Sequence, residues 1–122
     1  MINMSKTITG PLPKLTLTSE EIRDIMVRIF AKSPGTYNFI NFVRQFSQIL
    51  TEKKFGFKAE PNTVYDGETI FGDQAIVREI IWDLIIERNL SVGGAGGQDE
   101  WPNFSVTERG KTYFASVDQT QL

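Results

Sequence analysis

Between Gln74 and Asn89 the chain carries Ile76, Val77, Ile80, Ile81, Trp82, Leu84, Ile85 and Ile86. On a helix these residues leave almost no polar face, so such a helix must be covered on more than one side. This stretch predicts the centre of a domain, a helix running from Gln74 to Asn89 with Asp73 as its cap. Any apolar surface that the rest of the domain fails to cover would face a partner chain.

Two amphipathic helices precede it. Ile22, Ile25, Met26, Ile29 and Phe30 recur at helical spacing, which predicts a first helix from Ser19 to Lys32. Thr18 and Glu21 have the spacing of a capping box, and Pro34-Gly35 stops the helix. Phe39, Phe42, Val43, Phe46, Ile49 and Leu50 predict a second helix from Phe39 to Lys53, capped by Thr36 or Asn38. Between the second and third helices, Asp66-Gly67 separates Thr63-Val64-Tyr65 from Thr69-Ile70-Phe71. That dipeptide favours a tight hairpin, with an irregular loop as the alternative.

After the third helix the period changes to two. Leu90-Ser91-Val92 and Phe104-Ser105-Val106 read as the strands of a hairpin whose long tip includes Gly93-Gly94-Ala95-Gly96-Gly97. Thr107 then caps a last helix from Glu108 to Ser116. The expected class is α+β, mostly helical, with three core helices, a β-hairpin and a C-terminal helix. Residues 1 to 17 are expected as a flexible arm, 18 to 116 as the domain and 117 to 122 as a flexible tail.

Composition narrows the chemistry. The 122 residues include no cysteine and no histidine. Disulfides, thiolate metal sites and the commonest general base are therefore ruled out. The glycine run has no following lysine or helix, so it is not a phosphate-binding loop. Neither enzymatic activity, nor a metal, nor a cofactor is expected. No apolar stretch is long enough for a membrane span and no leader-like block opens the chain, which predicts a cytoplasmic protein.

Ile81-Trp82-Asp83-Leu84-Ile85, Asn89-Leu90, the glycine-rich tip and Phe104-Ser105-Val106-Thr107-Glu108-Arg109-Gly110-Lys111 together resemble the winged-helix domains of bacterial regulators of the PadR and MarR families. The resemblance covers residues 19 to 116. It implies a winged helix-turn-helix, a dimeric DNA-binding transcriptional regulator whose third helix enters the major groove of double-stranded DNA. Gln74 and Arg78 would then read bases, Gln98 and Asn103 would serve the wing, and Arg109 and Lys111 would touch phosphate. Lys53 and Lys54, beside Arg44 and Lys58, offer a further phosphate contact or a solvated helix end.

Winged helices also serve as protein-interaction modules, and the charges fit that alternative. The formal net charge is -2. Glu79, Asp83 and Glu87 form an acidic ridge on the third helix, and Asp99 and Glu100 stand in the hairpin tip beside Trp101. Such a surface repels phosphate and suits a basic protein. Trp101 either folds back on the core or anchors that partner. A homodimer formed through the third helix is the remaining possibility.

Overall fold

The computed structural model describes residues 6–8, 10, 13–65, 74–94 and 99–117. The Asp66-Gly67 turn, the Asp73 cap, the Ala95–Gly97 tip and the end of the tail fall outside them. The described elements are β1 (Lys6–Ile8), α1 (Ser19–Lys32), β2 (Thr36–Asn38), α2 (Phe39–Lys53), β3 (Thr63–Tyr65), α3 (Gln74–Ile86), β4 (Leu90–Val92), β5 (Asn103–Val106) and α4 (Glu108–Ala115). The class is α+β with helices predominating. Among the described residues no helix is long and apolar enough to cross a membrane.

Local chemistry sets the helix ends. The Glu21 amide donates to Thr18 Oγ1 and the Thr18 amide donates to Glu21 Oε1, at 3.2 and 2.9 Å. This reciprocal pair satisfies donors that the first turn of α1 leaves open. Asn38, rather than Thr36, caps α2, accepting from the Ile40 amide at 3.0 Å. The third helix ends three residues earlier than its apolar pattern predicts. Arg88 takes a left-handed conformation with φ 69°. Its amide donates to the Ile85 carbonyl and the Asn89 amide donates to the Leu84 carbonyl, both at 2.9 Å. These paired bonds are a Schellman ending, which turns the chain out of the helix and into β4.

The sheet carries a strand that the sequence pattern does not signal. β5 lies between β2 and β4, antiparallel to both. Tyr37, Phe104 and Val92 are aligned across the three strands on the inner face, while Thr36, Ser105 and Ser91 are aligned on the outer one. β2 follows directly from α1 and leads directly into α2, so the helices and the sheet share one core.

That core is aromatic. Phe30 stacks on Phe42 at 4.9 Å and meets Tyr37, Phe114 and Phe104 at 5.2, 5.3 and 6.1 Å. One α1 side chain thus joins rings from α2, β2, α4 and β5. The N-terminal arm also contributes. Lys6–Ile8 pairs in parallel with Thr63–Tyr65, and Leu15, which bridges to Phe57, is buried in the core. Burial of Leu15 gives this part of the arm a fixed place that its polar, proline-containing sequence does not announce.

Tyr37 supplies a pH-dependent test of the packing. Its hydroxyl donates to the Ser33 carbonyl, and burial pushes its pKa up from 10.0 to about 12. Burial favours the neutral phenol, so this contribution to stability is complete below pH 10 and is lost as pH rises towards 12. An ultraviolet titration should show one phenol ionising near pH 12, with the unfolding free energy falling over the same window. Both features should be missing from Tyr37→Phe. Ionisation of Tyr37 at an ordinary phenol pH would show that the ring is not buried as described.

Candidate interaction face

With about 100° per residue along α3, Val77, Ile80, Ile81 and Leu84 fall on one side and are buried. Trp82 lies about 140° round the helix from Val77. It remains 40% exposed, and Ile86, one turn further on, is 76% exposed. Ala75, Arg78, Glu79 and Asp83 complete the outward surface, and all four are exposed.

Trp82 is held from below. Its ring lies 5.4 Å from that of Trp101, which packs on Phe39 at 5.5 Å and stacks on Phe104 at 5.9 Å. Phe39 and Phe104 are core residues, so Trp101 folds back on the core and joins it to Trp82. The Phe39 amide donates to the Pro102 carbonyl at 2.9 Å, tying this loop to the start of α2. The outcome is a tryptophan pair continuous with the core on one side and open to solvent on the other.

Glu79 and Asp83 share the outward face of α3 with this strip, and Asp99 and Glu100 precede Trp101 in the chain. Among the described residues, Glu79, Asp83, Asp99 and Glu100 enter no ion pair. Glu87 leaves the acidic ridge because Arg23 of α1 reaches it at 2.8 Å. The hydrogen bond to Glu87, with a smaller contribution from the Tyr113 hydroxyl at 3.4 Å, raises the Arg23 pKa above its ordinary value. That pair fastens α1 to the end of α3.

The remaining sequence candidates are distributed over several elements. Gln74 is half-buried at the start of α3 and Arg78 is exposed one turn later. Asn103 is committed to the sheet. Its amide donates to the Glu100 carbonyl, its carbonyl accepts from Gly93, and its side chain accepts from Asn38 Nδ2 at 3.4 Å. Gln98 lies outside the described residues. Lys53 and Lys54 stand at the end of α2, where Lys53 borders a groove with Leu17 and Phe55. Lys111 is paired with Glu108 at 2.9 Å, while Arg109 borders the groove between the end of α3 and the start of α4.

Sequence reasoning placed Trp82 and Ile86 among the apolar residues of a buried helix. The signal that separates them is angular: they lie opposite the stripe formed by residues 77, 80, 81 and 84. Among the described residues no group of acidic, cysteine or histidine side chains could hold a metal ion. Comparisons with protein-family models, with curated proteins and with solved structures gave no match.

Proposed function

We propose that this chain is a winged-helix module that docks a basic protein partner through the outward face of α3. The order α1, β2, α2, α3, hairpin, α4, with β3 between α2 and α3, supports the winged-helix reading, as does the three-stranded sheet built from β2, β5 and β4. In a DNA-reading winged helix the outward face of the third helix enters the major groove. Here that face carries Trp82 propped on Trp101, with Ile86, Glu79 and Asp83 on the same helix and Asp99 and Glu100 next to Trp101 in the chain. This one arrangement carries the proposal.

A half-exposed tryptophan anchored to a rigid core suits an interface hot spot, because little side-chain freedom remains to be lost on binding. The carboxylates select a partner whose apolar residues are flanked by lysine or arginine. A second copy of the same chain meeting this face to face would set like charges together. Phosphate would meet the same repulsion.

A photoreactive phenylalanine analogue in place of Ile86 tests the reading in cells of the native organism. The expected result is one cross-linked protein with its attachment point in a lysine- or arginine-rich segment. The adduct should disappear on Asp83→Lys and be absent when the analogue replaces Ser116. With that partner purified, Trp82→Ala should weaken binding by about 2 kcal/mol or more, roughly thirtyfold, while the melting temperature changes little. Salt-sensitive binding of duplex DNA, lost on reversing the charge of Arg78, would overturn the proposal in favour of a DNA-binding regulator. A cross-link to a second copy of this chain would overturn it in favour of a homodimer.

A further inference from the structure

We infer that the groove between the end of α3, β4 and the start of α4 binds a small organic phosphate, gripped by Arg88 and Arg109. This inference stands apart from the docking face, and neither depends on the other. The groove is open to solvent and has a volume of about 820 Å³, room for a small molecule. Its lining includes the guanidinium-bearing Arg88 and Arg109, with an apolar wall of Ile85 and Val92.

The local charge balance favours an anion. Neither Arg88 nor Arg109 has an acidic partner among the described residues. Glu87, next to Arg88 in the chain, is engaged by Arg23 at 2.8 Å. Glu108, the acid that borders the groove, is bridged by Lys111 at 2.9 Å. Two guanidinium forks are therefore left with their charge uncompensated, and together they match the two negative charges of a phosphate monoester. Ile85 and Val92 offer contact to the apolar body of the ligand.

The backbone of Arg88 is held by the turn that ends α3. With φ 69° it occupies the Schellman position that glycine usually takes. Its carbonyl accepts from Thr107 Oγ1 at 2.7 Å, so the α4 cap holds this residue in place at the groove. An arginine at that position carries a conformational cost that glycine would avoid.

The test follows the arginine side-chain Nε–Hε signals by NMR while phenyl phosphate, inorganic phosphate or benzoate is added to the full chain. Saturable shifts of Arg88 and Arg109 with phenyl phosphate are expected, with inorganic phosphate and benzoate each about tenfold weaker. Arg109→Gln should weaken phenyl phosphate about tenfold, and Arg78→Gln should leave it unchanged. Arg88→Gly should weaken it similarly while the melting temperature holds or rises, which separates ligand binding from folding. Non-saturating shifts, or equal binding of phenyl phosphate and inorganic phosphate, would overturn the inference. So would a short DNA duplex that moves these signals at lower concentration than phenyl phosphate, since the groove would then be a nucleic-acid contact.

Discussion

Phe30→Ala should lower the unfolding free energy by about 3–5 kcal/mol, as expected for deleting a fully buried ring. Phe30 is completely buried, and its four ring partners come from four different elements. Truncation removes transfer free energy and leaves a cavity that no single neighbour can fill. Phe42 and Phe104 are each fixed by other packing, and they face each other at 5.9 Å with their planes 77° apart. A domain of this size is stable by about 5–15 kcal/mol, so the loss is a large share of the total. The melting temperature should fall by roughly 10–20 °C in calorimetry. Phe30→Leu should cost much less, because most of the volume is kept. If Phe30→Ala unfolded within about 1 kcal/mol of the parent, the ring cluster would not be the centre of the core.

Gly110→Ala should be nearly as severe, by about 3 kcal/mol or more, although alanine is the better helix former. A Cβ at position 110 would lie 2.0 Å from the Asn89 carbonyl oxygen and 2.9 Å from its carbon. The obstacle is backbone, so no side-chain rotation relieves it. That oxygen also accepts from the Thr107 amide at 3.1 Å, and Asn89 is buried. Moving α4 outward would strain the Thr107 hydroxyl bond to Arg88 and uncover Phe114, which is fully buried against Phe30. The eight-residue α4 is too short to persist without that packing. Denaturant unfolding with hydrogen exchange should therefore show both lower global stability and loss of protection across α4. A variant as stable as the parent would show that α4 does not pack this closely on the α3–β4 turn.

The effects at Phe30 and Gly110 are structural, whereas those at Trp82 and Arg109 concern exposed groups. Trp82→Ala and Arg109→Gln are expected to change binding while leaving the core packed.

The helices and the hairpin are legible in the sequence alone, because their signals are local. Thr18 and Glu21 start α1 through bonds made within one turn, and the apolar spacing of α2 holds whatever packs against it. The Thr107 cap and the Gly110 position were likewise legible, as one short phrase at the end of the hairpin. The early end of α3 was less so, because nothing in the composition of Glu87-Arg88-Asn89 marks a left-handed residue where glycine is the usual choice. β2 escaped notice because three residues following Pro34-Gly35 become a strand only when β5 supplies their partners. The strand formed by Lys6–Ile8 needs Thr63–Tyr65, more than fifty residues away, for the same reason.

The candidate sites belong mainly to the tertiary structure. Sequence spacing places Trp82 and Ile86 on a helix, but only packing decides which side of an almost wholly apolar helix is left to solvent. Trp101 reaches Trp82 only because its loop returns over Phe39 and Phe104. Arg88 and Arg109 share a groove only because the α3 ending and the α4 cap are bonded to each other. Helical periodicity is a property of neighbours in the chain. Surface exposure, shared grooves and unpaired charge are properties of elements brought together by folding, and the function proposed here rests on the second kind.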